Sequence, residues 1–161
     1  MNKEYLHQAI IKALIDIHDV AHQATQTAIS AATDKQNIPE HKYDTLSLEA
    51  AYLAHGQAQR VQQCLQDIHT FKTLPIKAFS QDDGVNLGAL LELYDEELDR
   101  NKWFFVSPVA GGLSLDFNGL TVQMITLDSP LGRALKNKFV GDECELTISG
   151  KPKYYEVVTL F

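Results

Sequence analysis

Cysteine is nearly absent, with two in 161 residues. Cys64 and Cys144 lie far apart and have no metal-ligand spacing, which excludes a disulfide-stapled scaffold and a zinc-knuckle module, so both read as reduced thiols. Long apolar runs are missing too. None approaches the roughly 20 residues that cross a bilayer, and Met1-Asn2-Lys3-Glu4 lacks the apolar core of a signal peptide. The expectation is a cytoplasmic protein without a membrane partner. Basic residues are few, 14 Lys and Arg against 21 Asp and Glu, for a net charge of −7. Proteins that grip nucleic acid through its phosphates need clustered Lys and Arg, so direct DNA binding is not expected. The acidity is spread over the chain, 6 basic against 8 acidic residues in 1–72 and 8 against 13 in 73–161, and locates no site by itself.

What is present begins with a long uninterrupted helical pattern. Over residues 3–36, Leu6, Ile10, Ala13, Ile17, Val20, Ala24, Thr27 and Ala31 follow one another in alternating steps of four and three, a heptad seam with no Gly or Pro inside it. Such a helix would be about 45 to 50 Å long and must lay its stripe on a partner. The partner is residues 45–71, with a stripe at Leu46, Ala50, Leu53 or Ala54, Ala58, Val61, Leu65 and Ile68. Between them lies Asn37-Ile38-Pro39-Glu40-His41-Lys42-Tyr43-Asp44, where Pro39 stops the first helix and Asp44 or Thr45 caps the second. The organisation expected is an antiparallel helical hairpin over 1–72, a linker over 73–83 and a different kind of domain over 84–161.

In that last part, Gly88 to Arg100 would pass for a helix by propensity, yet the acidic cluster Asp95-Glu96-Glu97 equally suits a turn between strands near 89–94 and 102–107. Val122 to Thr126 reads as a further strand. Ser129 has an N-cap side chain and Pro130 falls at N1, so 131–136 forms a short helix. Gly141-Asp142 turns, 144–148 alternates as a strand, Ser149-Gly150-Lys151-Pro152 turns again, and 154–160 is rich in β-branched and aromatic residues. Four or five strands around one short helix are expected. Gly111-Gly112 and Gly119 read as turns between strands, since no Lys-Ser follows them to make a phosphate cradle, and Trp103-Phe104-Phe105 reads as core.

The stretch from Leu127, with Ser129, Pro130, Gly132, Ala134, Gly141, Asp142 and Glu143, resembles the end of the Gre-type transcription elongation factors. A helical hairpin followed by a small α+β domain is also the layout of the GreA/GreB family, although only the final third matches closely. The resemblance implies an α+β protein with an N-terminal coiled-coil hairpin and an FKBP-like C-terminal domain, which favours the strand reading of 89–107. It implies RNA polymerase as partner, with RNA met only through the polymerase. The C-terminal domain would dock at the mouth of the secondary channel, with Ser129, Pro130, Arg133, Lys136 and Lys138 as docking candidates. The hairpin tip, with Glu40, Asp44, Asn37 and His41, would lie near the polymerase's metal.

Two-metal phosphodiester hydrolysis needs a weakly held second Mg²⁺ fixed and a water oriented for attack, a task for tip carboxylates. The implied protein is a monomeric factor with no cofactor, intrinsic metal site or catalytic residues of its own, Mg²⁺ being held by the polymerase. Here the sequence departs from the family tip: Glu40 matches its Glu, while Asn37 stands where its Asp should be, and an amide offers only a neutral oxygen. A channel-occupying regulator without cleavage stimulation is therefore a second reading. Outside the resemblance stand a structural adaptor whose seam pairs between chains and a peptidyl-prolyl isomerase-like domain. His18-Asp19-Val20-Ala21-His22 imitates the two-histidine helix of zinc peptidases with Asp for Glu. Both histidines fall off the seam and no third ligand is evident, so they read as helix-surface residues.

Overall fold

The computed structural model describes residues 2–33 and 46–161, and the side chains of Ala32, Leu46 and Ser47 are not among those described. Helix α1 runs Lys3–Thr33 and α2 Leu46–Lys72. Strands β1 (Leu90–Asp95), β2 (Arg100–Val106), β3 (Ser114–Phe117) and β4 (Leu120–Ile125) follow, then α3 (Pro130–Leu135), β5 (Glu143–Ile148) and β6 (Lys151–Leu160). The expected architecture, a helical hairpin and then an α+β domain, is present. The chain forms two compact units, Ile11–His69 and Met1–Ile10 with Thr70–Phe161. Packing thus divides the chain differently from its order, because the first turns of α1 and the last of α2 belong with the sheet.

In the helical unit the seam lies one residue away from the expected stripe. Leu14, Ala21, Thr25 and Ala28 are buried, whereas Val20 is 68% exposed and Ala24, Thr27 and Ala31 are also on the outside. A 3.6-residue period starting from Leu6 and Ile10 reaches Leu14 next, and its larger apolar side chain takes the place assigned to Ala13. On α2, Cys64 and Ile68 are buried and Leu65 is 50% exposed; Leu53 and Ala58 also face outward, while Ala50, Ala54 and Val61 are half-buried. Small residues leave an open gap of about 370 Å³ where Ala21 and Ala24 meet Gln57 and Arg60. Buried Thr25 satisfies its hydroxyl by donating to the Ala21 carbonyl at 2.9 Å.

The other unit is a six-stranded sheet in the order β3-β4-β2-β1-β6-β5. Its pairings are antiparallel except β2 with β4. Two central strands are buried on both faces, as their near-continuous apolar runs require. Leu91, Leu93, Phe104, Val106, Ile125, Tyr155 and Val157 form one core with Leu135 of α3. By the two-residue alternation, Leu90, Phe105 and Met124 point the opposite way, where the Phe71 ring lies 5.8 Å from that of Phe105. Leu6, Ile10 and Phe71 are fully buried in this unit. The Lys3 ammonium donates to the Phe161 carbonyl at 2.9 Å and to the Lys77 carbonyl, fastening the start of α1 to the end of the sheet.

Six strands replace the four or five expected. The missed one, β3, is only four residues long, and its signal was the Asn118-Gly119 pair, whose positive φ values of 52° and 77° make the tight hairpin turn into β4. Gly88–Arg100 is hairpin, not helix, and Asp99 (φ 47°) turns it. Ser149 and Gly150 make the last turn alone, so Lys151 and Pro152 already belong to β6, where Pro152 faces Thr147 near the strand start and its missing N–H is tolerated.

His7 stacks on Phe71 at 4.6 Å, is nine-tenths buried, and leaves its Nε2 without a hydrogen-bond partner. Burial pushes its pKa below the ordinary imidazole value, outweighing the carbonyls of Phe71 and Leu74 that favour the proton. The unfolded chain therefore takes up the proton first as pH falls. Stability is full above the unfolded value of about 6.5 and is lost progressively as pH drops from there towards the folded value. Urea midpoints measured from pH 7.5 to 5 should decline more steeply for the natural chain than for His7→Leu; parallel curves would remove His7 as the cause.

Candidate functional groove

The short helix α3 is seated by one carbonyl. Thr126 O accepts from the Ser129 N–H at 3.0 Å and from the Ser129 hydroxyl at 2.7 Å. The same hydroxyl oxygen caps the helix by accepting from the Gly132 N–H at 3.1 Å. Pro130 occupies the first turn, where a missing N–H costs nothing. A Cβ on Gly132 would stand 2.0 Å from the Thr126 oxygen. The Ser-Pro-Leu-Gly run is thus a structural clasp, in which Ser129 and Gly132 meet residues 126–127. The Gly-Asp-Glu turn is similar: Gly141 has φ 87°, and the Asp142 carboxylate accepts from the Phe139 N–H at 2.8 Å.

This clasp forms one wall of an open groove of about 650 Å³, with Phe104, Ile125, Leu131, Leu146, Ile148 and Tyr155 in its lining and Lys102, Ser129 and Pro130 beside them. Ile148 remains 43% exposed at its lip. Of the docking candidates, Ser129 and Pro130 therefore line the groove; Arg133 and Lys136 are exposed on and just after α3, and Lys138 is half-buried. The tip candidates Asn37, Glu40, His41 and Asp44 lie outside the described residues.

Lys102, which lines the groove, is paired with a buried carboxylate that the sequence reading did not identify. The Asp95 side chain is 1% exposed and meets the Lys102 ammonium at 2.7 Å, with the Leu98 N–H donating to its other oxygen at 3.1 Å. Burial opposes its ionisation, but the Lys102 contact, the Leu98 N–H and the Lys153 charge together hold its pKa below the usual carboxylate value. Burial and the Asp95 charge push the Tyr155 phenol up, and burial raises the Cys144 thiol. The available signal was alternation: Asp95 continues the inward phase of Leu91 and Leu93, which demands a partner from the neighbouring strand. Among the described residues no three His, Cys, Asp or Glu side chains converge on a metal position.

Curated relatives supply the context for this geometry. The transcription elongation factor GreA of Rhodospirillum rubrum is 28% identical over 145 residues, covering 89% of this chain and 85% of the relative. The GreA of Xanthomonas campestris is 25% identical over 153 residues, covering 95% and 91%. The chain is thus similar to GreA over most of its length. No family model matches it. Among solved structures, the GreA factor homolog 1 protein of Thermus thermophilus covers 94% of each chain at 20% identity and a TM-score of 0.39. In this chain the clasp and the turn account physically for Ser129, Pro130, Gly132, Gly141 and Asp142 of the motif that resembles Gre-type factors.

Replacing Gly132 by Ala should destabilise this chain by about 1–3 kcal/mol or more, because backbone must move to admit the methyl; a denaturation midpoint matching the natural chain would show that α3 is not clamped as described. Lys102→Ala strands a buried carboxylate and should cost about 1–3 kcal/mol at neutral pH. Since the Asp95 pKa is depressed in the fold, its contribution is present above the unfolded carboxylate value and fades as pH falls through the folded one. The gap between Lys102→Ala and the natural chain should therefore narrow in acid, as urea unfolding at pH 7 and pH 3 would reveal.

Proposed function

We propose that the chain is a Gre-like factor of RNA polymerase, acting as an accessory protein without catalytic residues of its own. The observation that carries this reading is the extent of the likeness to GreA, which in the Xanthomonas relative spans 95% of this chain and thus both the hairpin and the sheet. The sheet unit would dock on the polymerase through the face bearing Ser129, Pro130, Arg133, Lys136 and Lys138. The hairpin would enter the secondary channel and bring its tip to the catalytic centre. One chain suffices for this task, so a monomer without DNA contacts is the working form.

At the tip, Glu40 would supply a carboxylate oxygen to the polymerase's weakly held Mg²⁺, the ion that activates the attacking water in cleavage of backtracked RNA. Asn37 contributes no charge at the position where the family pattern has an acid, and His41 and Asp44 stand next in the sequence as further candidates. One carboxylate at the two family positions, 37 and 40, favours a second reading, in which channel occupancy modulates the polymerase with little or no stimulated cleavage. Both readings share polymerase binding.

Adding the chain to a backtracked elongation complex with labelled RNA tests both. Transcript shortening that disappears in Glu40→Ala and strengthens in Asn37→Asp supports cleavage stimulation. Binding that slows extension without shortening supports the occupant. A chain that neither binds the complex nor changes its products overturns both.

A further inference from the structure

One turn in the middle of α1 carries chemistry that polymerase docking does not use. His18 and His22 lie four residues apart on the helix, with ring centroids 6.1 Å apart and planes inclined by 24°. His18 is packed, its side chain 20% exposed, and its Nδ1 meets Asp19 Oδ1 at 3.1 Å. His22 is exposed. We propose that His18 and His22 form a two-nitrogen chelate for a late first-row divalent cation such as Zn²⁺ or Ni²⁺, with Asp19 as the positioning residue.

The carboxylate is what distinguishes this pair from two unrelated surface histidines. A neutral imidazole that donates Nδ1–H to a carboxylate keeps its Nε2 lone pair for a metal, and the bond fixes the ring's orientation. Side chains at i and i+4 have Cβ atoms about 5–6 Å apart, close enough for two imidazole nitrogens to reach one ion at about 2.0–2.1 Å each. The rings as they stand are stacked, not converged, and rotation of exposed His22 towards the His18 Nε2 closes the chelate. Nitrogen donors select zinc, nickel or copper over Mg²⁺ and Ca²⁺, which require oxygen.

With no third His, Cys, Asp or Glu converging among the described residues, water fills the remaining positions, which leaves the ion open to a further ligand. The site adds to an expectation of no intrinsic metal and is independent of the polymerase reading. Binding to the folded helix alone would stabilise α1 as the free ion concentration rises.

Calorimetric titration of Zn²⁺ into tag-free chain, with the histidine ring signals followed by NMR, tests the assignment. One equivalent should bind and shift both His18 and His22. His22→Ala, an exposed change, should abolish saturable binding, and Asp19→Asn should weaken it by about tenfold, since loss of a second-sphere partner typically costs about 10- to 100-fold. No saturable binding to the natural chain, or unchanged affinity in His22→Ala with shifts at His41, His55 or His69 instead, overturns the proposal. Unchanged affinity in Asp19→Asn overturns the role given to Asp19.

Discussion

A strand buried on both faces needs a cover on each, and in the sheet unit that requirement determines which other elements must be present. Leu90 and Leu91, or Phe104 and Phe105, cannot all turn inward to one core, because successive side chains leave a strand in opposite directions. On one face α3 closes over Leu91, Leu93, Phe104 and Val106. On the other the Phe71 ring meets Phe105, and Leu6 and Ile10 are buried in the same unit. This is why the ends of the two long helices are counted with the strands, and why a change at His7 or Lys3 acts on the sheet.

The cover made by α3 is also what creates the groove. A six-residue helix is too short to hold itself together in water. Its position comes from the clasp at Thr126 and from Leu135 in the core. Gly132 lets the helix backbone come within contact of Thr126, and the hydroxyl of Ser129 satisfies both an orphan N–H and the opposing carbonyl. The same clasp places Ser129 and Pro130 beside Phe104, Leu131 and Ile148, so an apolar surface and a polar edge lie side by side. Lys102, in the groove lining, pairs with buried Asp95 and keeps its cation partly in water. That limits the desolvation cost of the buried carboxylate.

The long hairpin obeys a looser rule. Its buried positions are small or of modest size, and Val20, Leu53 and Leu65 remain outside. The expected stripe was displaced by one residue because several neighbouring positions are apolar or small, so periodicity alone tolerates more than one phase. On α1 Leu14 decided it, being larger and more apolar than Ala13, and on α2 Cys64 is buried beside a half-exposed Leu65. The histidine turn at 18–22 lies beside this seam, where His18 is partly packed and His22 is exposed.

By itself the sequence determined several elements: the helical hairpin, the capped helix opening at Ser129, the turns at Gly119 and Gly150, and the core character of Phe104 and Phe105. These are local properties, set by backbone sterics, capping and hydrophobic period, and they are readable within a few residues. The motif from Ser129 to Glu143 was equally legible and pointed to Gre-type factors. Only the tertiary structure decided the parallel pairing of β2 with β4, the short strand β3, the phase of the helical seam, the assignment of α1's first turns to the sheet, and the burial of Asp95 against Lys102. Each of these depends on which distant surfaces meet, and the free energy of that meeting comes from packing between residues far apart in the chain, which no local pattern records.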